Sequence, residues 1–256
     1  MKNRRGDTVA RRRDLIKPSA SVSASSRLPG PLITLLTDFG TADYFVGAVK
    51  GVILSINPAA TIVDITHEIP PQDIEAAAFT LLAAYATFPL KTVHVAVVDP
   101  GVGSSRRPIL VEAAGQFFVG PDNGIFSYLC DSVKNSQVFH LTNAKYFRQP
   151  VSPTFNGRDV FAPVAAAISN GADPQQLGDK IKDYVRLKPL MPEKSRKGEI
   201  KGRVIHIDRF GNCVTNITRK DVPDTAAAKL RIKGTLVKSF RNYFAEETAS
   251  RDKIFG

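Results

Sequence analysis

Apolar and polar positions along the chain fall into a repeating order that begins after Pro29-Gly30-Pro31. Leu32–Leu36 is a short apolar run of strand character that ends in Thr37-Asp38-Phe39-Gly40. From Asp43 to Ile56, apolar residues recur at Phe45, Val49, Val52, Ile53 and Ile56, which is helical spacing, and Asn57-Pro58 stops the run. Thr61–Ile65 reads as a second strand. Pro70-Pro71 then opens a helix through Ile74, Ala78, Leu81, Leu82 and Tyr85, with Asp73 and Glu75 in its first turn, where the helix dipole favours acids. Thr92–Val98 is almost continuously apolar, as in strands buried on both faces of a parallel sheet.

Strand, helix, strand, helix, strand predicts a layered α/β domain with a mostly parallel sheet. Ile109–Glu112, Gln116–Val119 and Val138–Leu141 add strands, and a helix runs from Asp159 to Ser169 before Asn170-Gly171. Composition changes at Leu187–Gly198, where Pro189, Pro192 and basic residues read as a linker. Beyond it Glu199–Ile207 and Lys229–Val237 alternate around Gly and Asn turns. The organisation expected is a basic tail (1–30), an α/β domain (31–186), a linker (187–198) and a small β-barrel-like domain (199–256).

Composition and charge narrow the classes. Of 256 residues, 43% are hydrophobic and 23% charged, ordinary values for a globular chain. The most apolar stretch, Ala76–Leu90, is interrupted by Thr80, Thr87 and Pro89, short of the roughly 18 residues a spanning helix needs. The net charge of +11 suggests nucleic acid until it is located, because residues 1–30 carry eight bases against two acids. That tail is Ser-rich and aperiodic, which predicts a disordered basic extension. An Arg- and Ser-rich, acid-poor start also fits a transit peptide, and no apolar secretory segment is present. Two cysteines, Cys130 and Cys213, make neither a disulfide framework nor a four-ligand zinc site. They are expected to be ordinary packed side chains in a reducing, cytoplasmic setting.

Candidate chemistry lies where strands of an open α/β sheet end, the usual place for ligands. Asp38, directly after the first strand, could accept hydrogen bonds from a ribose diol or cap the following turn. The loop Asp99-Pro100-Gly101-Val102-Gly103-Ser104-Ser105-Arg106-Arg107 is glycine-rich but lacks phosphate-loop and dinucleotide spacing. It does place an acid and a guanidinium seven residues apart, so Asp99 and Arg106 can fold onto each other. The pair could close the loop as a salt bridge, or orient one small polar reactant, and Arg106 is expected to lower the carboxyl's pKa. His67, His94, His140 and His206 show no metal-ligand spacing, and His94 and His206 read as core or cross-strand residues. No serine elbow or Cys/His arrangement points to a covalent nucleophile. Asn216-Ile217-Thr218 matches a glycosylation acceptor without a secretory context.

Taken together, six segments resemble the S-adenosyl-L-methionine hydroxide adenosyltransferase family, relatives of the fluorinases and chlorinases. They are Leu36-Thr37-Asp38-Phe39-Gly40, Ile62-Val63-Asp64-Ile65-Thr66-His67, Val98-Asp99-Pro100-Gly101-Val102-Gly103, Pro121-Asp122-Asn123-Gly124, Thr154-Phe155-Asn156-Gly157-Arg158-Asp159 and Asp208-Arg209-Phe210-Gly211-Asn212-Cys213-Val214-Thr215-Asn216. The resemblance runs in order over about residues 32–256. It implies cleavage of the sulfonium of S-adenosyl-L-methionine at the ribose C5′, with water or hydroxide giving adenosine and L-methionine.

It further implies that Asp38 binds the ribose hydroxyls with Asp43 nearby, and that Asp208 and Asn212 hold the methionine amino-acid end. Asp99 and Arg106 match two of the three residues that position the attacking water. Trimers with sites between subunits are implied too. Because the substrate carries its own cationic leaving group, no metal or cofactor is expected.

Two departures stand against the family pattern. Asn156 occupies the third water-positioning place, where hydroxide-using members carry His, and an amide accepts no proton at neutral pH. The chain also stops at Phe255-Gly256, where family members continue, so the small domain is expected to be incomplete. Halide use is disfavoured because halide-using members replace the Asp99-type acid, whose charge would repel a halide. The rival is a non-catalytic adenosine- or S-adenosylmethionine-binding protein, motivated by Asn156. A third reading, nucleic-acid binding through residues 1–30, predicts affinity that vanishes with the tail.

Overall fold

A computed structural model describes residues 30–222 and 228–237 in full, with the backbone of 240–241 and 254–255. The basic tail lies outside the described residues. The rest divides by its contacts into two compact units, with the boundary between Pro189 and Leu190.

The larger unit is a seven-stranded sheet covered on both faces. Strands β1 (Leu32–Thr37) and β2 (Thr61–Thr66) flank helix α1 (Phe45–Ile56), and helix α2 (Ile74–Ala84) leads to β3 (Val93–Val97). There follow β4 (Pro108–Ala113), β5 (Gln116–Pro121), α3 (Ser127–Ser132), β6 (Gln137–His140), α4 (Ala162–Ser169), the short α5 (Pro174–Leu177) and β7 (Lys180–Ile181). The sheet order is β2-β1-β3-β5-β4-β6-β7. The parallel part expected from the sequence is β2-β1-β3-β5, and beyond it β4, β6 and β7 pair antiparallel, so the sheet is mixed. The reversal is local. Ala114 and Gly115 join β4 to β5 with φ of 54° and 72°, a two-residue turn whose twist suits a hairpin.

Every residue of β1 and of β3 is buried, which explains their unbroken apolar runs. Side chains alternate between two cores. Ile33, Leu35, Val93 and Val95 pack with Val49 and Ile53 of α1 and Val164 of α4. Leu36, Ala96, Val98 and Phe118 pack with Leu81 of α2 and Leu129 of α3. Helix α2 begins at Asp73, whose carboxylate accepts from the Ala76 N–H at 2.9 Å, a conventional N-cap. The helix predicted from Asp159 starts instead with a π-helical turn, Gly157–Phe161, before α4. The turn stands at the start of the helix, where no earlier apolar spacing exists for an extra residue to interrupt.

The smaller unit consists, among the described residues, of two-stranded pairings rather than a closed barrel. Strand β8 (Glu193–Lys194), inside the stretch read as linker, pairs with β9 (Ile200–Lys201), and β10 (Val204–Ile207) pairs with β11 (Cys213–Thr215). β12 (Leu230–Ile232) and β13 (Thr235–Val237) form a hairpin. The single strand expected over Glu199–Ile207 breaks at Gly202, where a Cβ would meet Ile217 Cγ1 at 2.4 Å. Asn216 is buried and accepts from the Arg203 N–H at 2.7 Å, a structural duty. Cys130 is buried as expected, whereas Cys213, in the two-stranded pairing of β10 and β11, is exposed. No helix among the described residues is long and apolar enough to cross a membrane.

His94 is fully buried in the sheet. Its Nε2–H donates to Gln116 Oε1 at 3.1 Å and its Nδ1 accepts from the Thr34 hydroxyl at 2.7 Å, with the ring stacked on Phe118. Burial pushes its pKa down to about 4, against a smaller upward pull from Gln116. The unfolded chain therefore binds a proton below the ordinary value near 6.5 that the native ring refuses until about pH 4. Acidification through that window is expected to remove about 2–3 kcal/mol of stability. Denaturant titrations at pH 7 and 4.5 check this. The loss between the two should shrink by that amount in His94→Gln, and an equal loss in both proteins would refute it.

Candidate functional site

The chain leaves β1 for β2 on one side and reaches β3 on the other, so the order reverses between β1 and β3. Ligands of open α/β sheets bind outside the carboxyl ends of strands at such a reversal. A cleft of about 340 Å³ lies there, lined among others by Asp38, Gln72, Asp99, Phe155 and Asn156. Its size falls within the range of small-molecule sites, roughly 300–1,000 Å³.

Asp38 follows β1 and is half-buried, with Oδ2 accepting from the Gln72 N–H at 2.9 Å. That bond uses one carboxylate oxygen in part, and the residue lines the cleft. Gln72 itself sits at φ 64°, a left-handed conformation that aims its N–H at Asp38. Asp43 lies on the exposed turn before α1 and does not line the cleft.

Asp99 follows β3 and meets Arg106 as the loop folds back. Arg106 Nε donates to Asp99 Oδ1 at 3.1 Å, and Nη2 donates to Oδ2. Both side chains are withdrawn from solvent, 6% exposed for Asp99 and 7% for Arg106. The guanidinium also lies 5.5 Å from the centroid of the Phe161 ring. Asn156 is satisfied with its amide oxygen accepting from Arg106 Nη2 at 3.1 Å and its nitrogen donating to the Ser152 carbonyl at 3.2 Å. Arg106 Nη1 remains buried without a partner among the described residues. A donor left unpaired out of water is costly, and a polar ligand would relieve it.

Arg106 pulls the Asp99 carboxyl down as expected, but the expected net lowering is overturned by burial. Burial raises the carboxyl, and nearby Asp38 adds to that. Together they outweigh the pull of Arg106 and the Gly101 amide, so the group titrates above the ordinary carboxylate value.

Three aromatic rings that the sequence reading did not single out wall the cleft: Phe39, Phe45 and Phe155. Their centroids stand 5.3 to 6.1 Å apart, mostly edge to face. The available signal was their position beside the polar motif residues, at Asp38-Phe39 and Phe155-Asn156.

In the smaller unit, Asp208 and Asn212 bind each other. Asp208 Oδ2 accepts from Asn212 Nδ2 at 2.6 Å, and Oδ1 accepts from the Phe210 and Asn212 amides at 2.9 Å each. The Asn212 side chain and these amides hold the carboxyl below its ordinary pKa. The pair that the resemblance assigns to substrate thus also builds its own turn, whose Phe210 ring is 89% exposed.

These features define the class: an α/β protein with a polar, aromatic-walled cleft at a sheet reversal, and a small strand-rich unit after it. Family models of the SAM hydroxide adenosyltransferase N-terminal domain and C-terminal domain match residues 33–178 and 202–251. The chain belongs to that family. It is 42% identical to an (R)-S-adenosyl-L-methionine hydrolase of Methanocaldococcus jannaschii, over 84% of this chain and 81% of the relative. A hydrolase of the same description from Thermus thermophilus is 38% identical over 74% and 76%. A fluorinase of an Actinoplanes species is more distant, 28% identical over 75% and 73%. A solved structure of a Thermotoga maritima protein superposes with a TM-score of 0.67 at 40% identity, covering 72% of this chain and 71% of that one.

The loops that carry Asp99 and Asn156 interlock at Gly103. Its φ is +80°, and a Cβ there would stand 2.7 Å from the Pro153 carbonyl oxygen. Gly103→Ala is expected to cost about 1–3 kcal/mol of stability. Chemical denaturation measures it, and an unchanged midpoint would mean the two loops are not held together there.

Proposed function

We propose that this protein hydrolyses S-adenosyl-L-methionine: the oxygen of water bonds to the ribose C5′, the C5′–sulfur bond breaks, and adenosine, L-methionine and a proton result. The observation that carries the reading is the buried Asp99–Arg106–Asn156 cluster at the cleft, in a chain whose relatives include named hydrolases of this substrate. Sulfur leaves as a neutral thioether, so the reaction needs neither a metal nor a covalent nucleophile. What it needs is in-line placement of a water and a destination for its proton.

Each group has a role on this reading. Asp38 binds the ribose diol, with Asp43 nearby, and Asp208 and Asn212 take the amino-acid end. The family's trimeric arrangement, with sites between subunits, would bring those two groups together. Asn156 has an amide N–H and a carbonyl lone pair to spare, which suffice to orient a water. Asp99 takes the proton, and burial makes it a better acceptor than an ordinary carboxylate. Its charge also opposes a halide at the same place, which sets the protein apart from halogenases. A cytoplasmic location fits a substrate of the cell interior.

Incubation with the substrate tests the reading. Adenosine and methionine released in equal amounts support it, and substrate bound but unchanged would make the protein a binding module. Asp99→Asn is expected to abolish turnover while leaving substrate affinity nearly intact. Because the Asp99 pKa is raised, activity should fall as pH drops through a value above 3.8, and this limb belongs to Asp99. Near-normal turnover in Asp99→Asn sinks the role.

Asn156→His is expected to change the rate by less than about tenfold, since positioning rather than deprotonation by this residue is required. A gain of about a hundredfold with a new ionisation near pH 6.5 would show instead that the amide impairs the enzyme.

A further inference from the structure

The segment that presents Asn156 is itself held by a group outside the cleft. Asp159, in the π-helical turn Gly157–Phe161, is fully buried and does not line the cleft. Its Oδ1 accepts from Arg158 Nε at 2.7 Å and Arg148 Nη1 at 3.2 Å, and its Oδ2 from Arg158 Nη2 at 2.8 Å. One further bond leads toward the site, as the Ser152 N–H donates to Asp159 Oδ2 at 2.9 Å. The carbonyl of that same Ser152 receives the Asn156 amide nitrogen, and the amide oxygen receives Arg106.

We infer that Asp159 is a positioning residue for the water-orienting cluster: by fixing the Ser152 backbone it sets which way the Asn156 amide points, and so where the Arg106 guanidinium rests. Donor and acceptor count decides the orientation. An amide can be turned over at little steric cost, and its two ends are nearly the same size. Turned over, Asn156 would present its N–H to the Arg106 donors and its oxygen to the Ser152 carbonyl, two repulsive contacts. The Ser152 carbonyl therefore selects the orientation, and Ser152 is held by the charge of Asp159. Arg158 adds a second tie, since its guanidinium lies 5.0 Å from the centroid of Phe155, a cleft wall. Phe161, two residues after Asp159, offers its face to Arg106. The π turn and the Asn156 that caps its start thus supply the amide, its anchor and the ring beneath the guanidinium, in keeping with the occurrence of such turns at functional sites.

The inference rests on the proposed hydrolysis for its kinetic arm only, so the experiment has a second arm that needs no turnover. In the full chain, Asp159→Asn is compared with the wild type by steady-state kinetics and by carbon NMR titration of the Asp99 carboxyl in the free protein. Expected is a loss of about tenfold or more in kcat with KM nearly unchanged, as positioning effects of this size allow. The Asp99 midpoint should rise by about one pH unit, because a displaced Arg106 no longer stabilises the carboxylate. Unchanged kcat and midpoint overturn the inference. Loss of kcat and KM together, with the midpoint unmoved, also overturns it, because that is the mark of a structural role alone.

If Asp159→Asn does not fold, Ser152→Pro reads the same two quantities. It removes the N–H that Asp159 accepts and leaves both arginine pairs in place. A wild type that turns over no substrate defeats the hydrolase reading and leaves the titration to decide this one.

Discussion

A carboxylate and a guanidinium taken out of water together at the end of β3 are the constraint around which the larger unit is arranged. Burying either alone would cost several kcal/mol, and together they are tolerable only with good geometry and further hydrogen bonds. The fold provides these with the paired donors of Arg106 on Asp99, the amide of Asn156 and the Phe161 ring. One donor is left over, Arg106 Nη1. A pair that served only to close its loop would sit as well at the surface, where nothing need remain unpaired. Among the described residues that leftover donor has no protein partner, and a polar ligand would satisfy it.

The same logic of buried charge recurs nearby, with the opposite balance. Asp159 is also closed off from solvent, yet two arginines and a backbone amide overcome the desolvation and hold it below the ordinary carboxylate range. Its contribution to stability is present above about pH 4 and is lost as pH falls through its lowered value. Asp99 has one arginine, already shared with Asn156, and desolvation prevails. The structure therefore holds two nearby carboxylates in opposite senses, Asp159 below and Asp99 above the ordinary carboxylate value.

Much of this was legible in the sequence. The unbroken apolar runs at Leu32–Leu36 and Thr92–Val98 gave the two central strands because burial on both faces requires them. The spacing of Asp99 and Arg106 on one glycine-rich loop allowed them to fold onto each other, and they do. Three things were not legible. Arg106 was expected to govern the Asp99 pKa, because a neighbouring charge can be read from spacing whereas depth of burial cannot. The π turn at Gly157–Phe161 opens its helix, so no earlier apolar register exists against which its extra residue would show. The aromatic wall needs Phe39, Phe45 and Phe155 from three separate segments, and only the closed fold brings them together. In the smaller unit, short strands paired two by two leave too weak an alternation to locate β8 inside a proline- and lysine-bearing stretch.

Asn156 gains a physical rationale from the charge of the reaction. The substrate's sulfonium is a cation whose charge is neutralised as the C5′–sulfur bond breaks, and a dry site favours that change. Nearby charge decides how well the cation is received. On the proposed reading the cluster faces the sulfonium, and because Asp99 and Arg106 sum to zero, a neutral third residue keeps it neutral there. A histidine there could be protonated at mildly acid pH and would then repel the substrate across the cleft. An amide surrenders the option of accepting a proton but holds the cluster's charge constant over the whole range in which Asp99 is ionised. On this reading the proton of the attacking water has one destination in the cluster, the carboxylate of Asp99. The orientation of the amide, fixed from behind through Ser152 and Asp159, takes over the part that basicity would have played.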